Sequence, residues 1–187
     1  IIIRGNSPVG VLFRLEGIDI PNPNHFGDFG SSGGPVSMLN NNVLANSDFL
    51  TGAFPAEYGN AISGVFDLKM RNGNYEKHEI IGQIGLNGFE LGVEGPISKT
   101  NKSSYMVNYR YSTLGVMSAL GINFGTGTAI PYYQDITARF NVPTKKAGTF
   151  SAFAVGGISQ IDLISSNPED TVDNLYNNDL DIYDRSK

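Results

Sequence analysis

Residues 51–74 read TGAFPAEYGNAISGVFDLKMRNGN. The first half of this stretch holds too many glycines for a helix and too little alternation for a strand. In the second half, residues 65–70 (VFDLKM) alternate apolar and polar side chains, as a half-buried strand does. Taken alone, the glycines predict ordinary turns between strands. The role of the stretch therefore depends on the segments before and after it.

The composition favours an all-β protein with many tight turns. The 187 residues include 23 glycines, 9 tyrosines and 11 phenylalanines, and only 17% are charged, whereas soluble domains average about 25%. The same composition fits a β-barrel whose outer face meets lipid. The first residues, IIIRG, show neither an initiator methionine nor a signal peptide. We therefore expect the chain to be a fragment or a processed product of a longer protein.

The charge pattern and the missing residue types narrow the function classes. The net charge is −5, and the sequence shows no basic stripe, so nucleic acid is not an expected partner. The chain has no cysteine, which removes disulfides and thiolate chemistry. His25 and His78 are isolated in the sequence, so we expect no metal site and no cofactor. No apolar run approaches the roughly 18 residues of a membrane helix, but a β-barrel would show none either.

From about Glu79 the hydrophobic pattern has period two, which predicts four or five strands of about ten residues. The connections at residues 96–102 and 142–148 are short, whereas residues 113–131 and the chain after about 161 form long ones. Short turns at one end and long loops at the other are more typical of an outer-membrane barrel than of a soluble β-sandwich. On the pattern alone, both folds stay open. In a barrel, one continuous outward belt would contain Phe89, Leu91, Val93, Tyr105, Val107, Tyr109, Ile136, Ala138 and Phe140.

The N-terminal part has shorter elements. Two strands are predicted at residues 1–4 and 9–14, followed by a turn at residues 16–19. Residues 21–35 form a predicted loop rich in Pro and Gly. One short helix is predicted around residues 38–45, although the asparagine run there disfavours it.

The order of these features resembles the second half of the plug of a TonB-dependent outer-membrane receptor, running into the first barrel strands. The residues that carry the resemblance are Arg4-Gly5, the strand Val9–Leu15, EGIDIP at 16–21, Phe49–Gly52, Tyr58-Gly59, Gly64–Arg71 and GVEGPISK at 92–99. The Glu-Gly-Ile-Asp and Ala-Glu-Tyr-Gly segments are similar to the Bacteroidetes branch of the family. Residues 45–48 (ANSD) depart from the acidic-basic strand of the family, and the upstream half of the plug is absent.

The resemblance implies a mostly β fold in which residues 1–74 are the C-terminal half of a plug domain. Residues 75–187 would be the first antiparallel strands of a large transmembrane β-barrel, which in this family has about 22 strands. The implied function is TonB-dependent uptake of a nutrient (a metal chelate, a glycan or a peptide) across the outer membrane of a Gram-negative bacterium. The implied partners are a TonB-type inner-membrane energy-coupling protein, outer-membrane lipid, the nutrient and an optional surface lipoprotein. The alternatives are a soluble secreted all-β binding module and a receptor-like barrel without transport.

The resemblance also gives the opening stretch a role inside a barrel lumen. Gly52, Gly59 and Gly64 lack a Cβ, which permits positive φ and close approach of other backbone. Tyr58 is expected to pack its ring while its hydroxyl meets a polar partner.

Two further groups are candidates for binding. We expect the loop at 21–35 to contact the ligand through the side chains of His25, Phe26, Asp28 and Phe29. The alternative is a loop that only fills the barrel lumen. Glu90 and Glu94 share one face of a strand about 14 Å apart, too far for a glycosidase carboxylate pair. They are instead expected to pair with the plug arginines Arg4, Arg14 and Arg71, unless they are solvated lumen charges.

Three motif matches do not point to an enzyme. Residues 59–64 have the glycine spacing of a phosphate loop but lack its Lys. Residues 30–34 match Gly-x-Ser-x-Gly, but a loop precedes them and Pro35 follows. The carboxylates between residues 162 and 184 lack the spacing of a calcium loop and predict a solvated extracellular loop.

Overall fold

The computed structural model describes residues 2–27, 31–85, 88–113 and 129–163. This part of the chain is mostly β, as the sequence predicts, and contains no α-helix. Asp28, Phe29 and Gly30 lie outside the described residues, as do nearly all of the predicted loop at 113–131 and the acidic segment after residue 163. The described strands form a four-stranded sheet, a five-stranded sheet and a two-stranded hairpin.

The four-stranded sheet, called the small sheet below, has the order β2-β1-β6-β5. One 3-10 turn at Pro8–Gly10 leads into β1 (Val11–Leu15), and β2 is Ile18–Ile20. The β1–β2 turn places Glu16 and Gly17 at φ of 52° and 82°, the conformation that tight hairpins need and that Gly adopts freely. The strand β1 runs parallel to β6 (Gly64–Leu68), and β6 runs antiparallel to β5 (Asp48–Leu50).

The five-stranded sheet, called the meander, has the order β7-β8-β9-β10-β11, and each strand pairs antiparallel with the next. Its strands are β7 (Glu79–Gly85), β8 (Gly88–Ser98), β9 (Ser103–Tyr111), β10 (Ala129–Pro143) and β11 (Thr149–Leu163). Within the described residues the sheet does not close on itself, so β7 and β11 are its open edges. The hairpin of β3 (Asn24–His25) and β4 (Val36–Ser37) contacts β11 of the meander.

The period-two pattern gives the meander two unlike faces. On β10, Ile136 keeps 51% of its surface exposed, whereas its neighbours Asp135 and Thr137 keep 4% and 2%. The predicted belt residues lie on the exposed face, and charged and amide residues lie on the buried one. This arrangement is the reverse of a soluble protein core, in which the apolar face of a sheet is the buried one.

The small sheet buries apolar side chains on both of its faces. On one face Leu12 and Val65 pack with Tyr58. On the other, Leu15 packs with Leu39, Val43 and Met70 against Met106 of the meander. This second cluster joins the two sheets.

Two predictions of local structure were wrong. Residues 2–4, the described part of the first predicted strand, do not form a strand, because Arg4 and Gly5 turn the chain at φ of 51° and 75° and Asn6 N–H donates to the Ile3 carbonyl. Residues 38–45 do not form a helix. The side chain of Asn40 accepts from the Asn42 N–H at 2.9 Å, and such a local bond competes with helical hydrogen bonding.

The connection between the sheets lies close against the meander. A Cβ built on Gly73 would lie 2.1 Å from the carbonyl oxygen of Tyr105 in β9, a distance that no side chain could tolerate. The predicted boundary at residue 74 falls in this connection, between the end of β6 and the start of β7. The identity of the two parts as plug and barrel stays a prediction.

Gly73→Ala should therefore destabilise the protein, by about 1–3 kcal/mol as expected for overpacking. The backbone of β9 cannot yield without breaking its ladders to β8 and β10. Denaturant unfolding of the purified protein would measure the loss. Gly59→Ala is the matched control, because nothing lies within 4 Å of its Cβ position. Equal stability of the two variants would contradict the close approach.

Candidate functional site

The buried face of the meander is polar, and segments of the N-terminal part cover it. Its buried polar residues are Glu90, Glu94, Ser104, Asn108, Asp135, Thr137, Arg139 and Asn141. Buried polar groups need hydrogen-bond partners, because an unpaired one costs about 1–3 kcal/mol. Several of those partners come from residues 16–72, so the contact between the sheets is built largely from charges and amides.

The first group of contacts centres on Arg71, just after β6. Its Nη1 forms an ion pair with Glu94 of β8. Its Nε donates to the Asn42 carbonyl at 2.5 Å, and the Asn42 side chain donates to Glu90 Oε1 at 2.6 Å. Asn108 of β9 donates to the same oxygen at 2.7 Å. Residues 42 and 71 thus hold two buried carboxylates of β8.

The second group involves Arg139 of β10. Its Nη1 forms an ion pair with Glu16 Oε2 at 2.8 Å, and its Nε donates to the Asn72 side chain at 2.9 Å. The other oxygen of Glu16 accepts from the Met70 N–H at 2.6 Å. The β1–β2 turn is thereby tied both to the meander and to the chain that leaves β6.

The third group surrounds Asp135 of β10, which is 4% exposed. One of its oxygens contacts His25 Nε2, and the other accepts from Arg110 Nε at 2.9 Å. Arg110 also donates to the Ser37 carbonyl, and its guanidinium lies over the ring of Tyr133 at 5.2 Å. Both strands of the β3–β4 hairpin are anchored here.

A neighbouring glycine makes room for this cluster. A Cβ on Gly157 of β11 would lie 2.7 Å from Asp135 Oδ1 and 2.8 Å from His25 Cε1. Only a residue without a side chain allows the imidazole and the carboxylate to meet at this point.

A polar cleft opens beside the first and third groups. It has a volume of about 660 Å³ and lies between residues 40–42 and the meander, at the end where β7 and β9 finish and β8 begins. The walls of this polar cleft are the side chains of Asn40, Asn41, Asn42, Gln83, Glu90, Arg110 and Tyr133 and the backbone of Gly85 and Gly88. The long connection after β9 starts at the same end of the meander. The cleft is the candidate binding site.

The expected ion pairs between the two parts need correction. Arg71 lies against Glu94 as expected, but Glu90 is held by asparagines rather than by an arginine. Arg14 pairs within the small sheet and its loops, with Asp19 at 2.8 Å and with Glu57 at 3.4 Å. The Asp19 contact raises the pKa of Arg14. The guanidinium of Arg4 lies beside Gly52.

Gly52, Tyr58, Gly59 and Gly64, the residues singled out in the 51–74 stretch, differ in their surroundings. Tyr58 is buried, and its hydroxyl donates to Asp67 at 3.1 Å. Burial is the main cause that raises the pKa of Tyr58, and Asp67 adds to it. A Cβ on Gly64 would lie 2.3 Å from Ile3, and one on Gly52 would lie 2.7 Å from Arg4, whereas Gly59 has open space. Close approach, rather than positive φ, is what Gly52 and Gly64 provide, since the described glycines at positive φ are Gly5, Gly17, Gly88 and Gly148.

The predicted ligand loop is docked on the meander where it is described. His25 is 4% exposed and contacts Asp135. Phe26 is half-buried, and its ring lies 6.4 Å from that of Tyr133. Asp28 and Phe29 lie outside the described residues. In this arrangement His25 anchors the loop and does not present its ring to a ligand.

The sequence analysis did not select Asn42, Glu16, Arg110, Asp135 or Arg139. A signal for the last three was available: each is a charged residue at a buried-face position of an alternating strand. Glu16 was noted only as part of the EGIDIP turn, and no sequence signal marks Asn42; the partners of both residues are distant along the chain.

Within the described ranges, no cluster of three or more His, Cys, Asp or Glu residues is suited to hold a metal ion. No helix in that part of the chain is long and apolar enough to span a membrane. Searches of protein-family models, of curated proteins and of solved structures found no match to this chain.

Arg71→Met should lower the free energy of unfolding by about 2–3 kcal/mol, because it leaves the buried Glu94 carboxylate without its charged partner. Adding Glu94→Gln to that variant should recover part of the loss, since a buried amide costs less than a buried charge. Denaturant unfolding of the purified variants would measure both effects.

Lys77→Met is the matched control, because the Lys77–Glu79 pair is largely exposed and such pairs contribute little. A loss at Arg71 no greater than at Lys77 would contradict the role of the Arg71–Glu94 pair.

Proposed function

We propose that the chain is part of a TonB-dependent outer-membrane transporter, with residues 1–74 as the C-terminal half of the plug and residues 75–187 as the first strands of the barrel wall. The ligand would be a nutrient bound at the extracellular side, and the protein would be a carrier rather than an enzyme. One observation carries the proposal: the meander exposes its apolar face and buries its charged face under another part of the same chain.

The exposed face suits lipid. Ile80, Ile84 and Ile158 keep 76%, 81% and 68% of their surface exposed, and contiguous apolar patches of this kind mark an interaction surface. Tyr111 is the last residue of β9 and Tyr105 is its third. Six residues at about 3.4 Å separate them by roughly 20 Å. An outer-membrane barrel has an apolar band about 25 Å tall between two aromatic girdles.

The buried face suits a plug that must move. Its contacts with the N-terminal part are mainly hydrogen bonds and ion pairs, and water can replace the partners when they separate. The apolar contribution from the meander is small: Met106, with Phe153 and Val155 at its margin. Pulling by an inner-membrane energy-coupling protein could therefore release the covering segments without exposing a large apolar surface.

The same geometry supports one direction of ligand entry. The polar cleft opens at the end of the meander from which the long connection after β9 emerges, and long loops are extracellular in such barrels. The chain enters the meander at the opposite end, beside the short turns after β8 and β10. A ligand would reach the cleft from outside, and the plug would be pulled from the periplasmic side.

The test is membrane fractionation of the native full-length protein, followed by uptake assays with and without the energy-coupling protein. We expect the protein in the outer-membrane fraction, and we expect growth on its nutrient to be lost when the coupling protein is deleted. A protein that stays soluble without detergent would contradict the proposal and favour a soluble secreted all-β binding module. An outer-membrane protein whose phenotype does not depend on the coupling protein would favour a receptor in signalling or adhesion.

A further inference from the structure

The two short turns of the meander are basic. The β8–β9 turn carries Lys99 and Lys102, and the β10–β11 turn carries Lys145 and Lys146. All four lysines are exposed, and none of them forms an ion pair within the described residues. Because β8 and β10 end on the same side of the sheet, these lysines lie together at one end of the meander. We call them the basic rim.

The strand ends beside the basic rim offer it no carboxylate. Residues 95–106 and 139–152, which contain both turns and the adjoining strand ends, include neither Asp nor Glu. Lys77 lies at the same end, but its ammonium already pairs with Glu79 at 2.8 Å. The two turns are two strand spacings apart, roughly 10 Å, so lysine side chains from both turns can approach one anion.

Apolar side chains border the basic rim on the exposed face of the meander. Ile97, Phe140 and Phe150 keep 53%, 43% and 61% of their surface exposed. Ile97 lies two residues before Lys99, and Phe150 lies four residues after Lys146. Cations at one edge of an exposed apolar surface match an amphiphile with an anionic head group and hydrocarbon chains. A soluble anion would use the lysines alone.

Aromatic residues hold part of this end in place. The ammonium of Lys102 lies 5.3 Å from the ring centroid of Tyr75, a favourable cation–π distance. Lys102 adopts φ of 57°, which is uncommon for a residue with a side chain. Nearby, His78 Nδ1 lies 3.1 Å from the hydroxyl of Tyr105. Tyrosine rings with a polar tip are enriched at the boundary between membrane and water.

We propose that the basic rim binds the head group of an anionic phospholipid, whose acyl chains lie against Ile97, Phe140 and Phe150. The lysines would contact the phosphate through charge-assisted hydrogen bonds. This inference rests on the proposed function, in which the exposed face of the meander meets lipid and the short turns lie on the periplasmic side. It adds a preference for negative charge in the inner leaflet of the outer membrane, which an apolar band alone does not provide.

The experiment is native mass spectrometry of the full-length protein, purified in a neutral detergent and mixed with equal amounts of phosphatidylglycerol and phosphatidylethanolamine. Both lipids carry a phosphate, but only phosphatidylglycerol has a net negative charge. We expect the protein to retain phosphatidylglycerol preferentially. The preference should fall as the ammonium acetate concentration is raised, because salt screens exposed charges.

One double variant removes the charge of each turn. Lys99→Gln with Lys102→Gln, and Lys145→Gln with Lys146→Gln, should each lower the preference at least about fivefold, the contribution of a single lysine at an anionic membrane surface. These lysines are exposed, so we expect both variants to fold.

Lys69→Gln with Lys77→Gln is the matched control, since both ammonium groups already pair with carboxylates. This control should keep the preference of the unmodified protein. Equal retention of the two lipids, or a preference that survives in both rim variants, would overturn the inference.

Glycerol phosphate separates a lipid from a soluble anion, because it carries the anionic phosphate without acyl chains. If it competes with phosphatidylglycerol at equal concentration, the apolar border has no role and the inference is overturned. None of these outcomes decides the transporter proposal. That proposal fails separately, if fractionation finds the protein outside the outer membrane.

Discussion

The charged and amide side chains on the buried face of the meander need partners, and this need, together with the apolar cluster around Met106, holds the two sheets together. Asp135, Glu90 and Glu94 are almost completely buried, and a buried carboxylate without partners is strongly destabilising. The β3–β4 hairpin, residues 40–42 and residues 71–72 supply those partners. The positions of the covering loops, the close approach at Gly73 and the polar cleft follow from this requirement.

An interface of this kind is specific without being permanent. Each ion pair and hydrogen bond fixes the position of one loop, because its geometry is directional. The net contribution of each bond is modest, since water is an adequate substitute when the loop departs. A tightly packed apolar interface would fix the same loops but would resist their release. The polar interface is thus consistent with a covering part that has to leave the wall during transport.

The strand pattern of the meander could be predicted from the sequence, because one buried face imposes period two on every strand. Arg110, Asp135 and Arg139 occupy the alternate positions of the same pattern, but the sequence analysis did not select them as site residues. It could not say which residues of the N-terminal part would meet them, since such pairings join positions as far apart as His25 and Asp135. The helix expected at 38–45 failed for a local reason: the Asn40 side chain closes a turn there.

The central claim is that the meander is a wall with lipid on one face and a docked plug on the other. The most direct test is a spin-label scan of β9, using single cysteines in a chain that has none of its own. In native outer membrane, labels at 105, 107, 109 and 111 should be accessible to oxygen, which concentrates in lipid. Labels at 106, 108 and 110 should be shielded from both oxygen and a water-soluble nickel complex. Access of the nickel complex to positions 107 and 109, or the absence of alternation, would contradict the account.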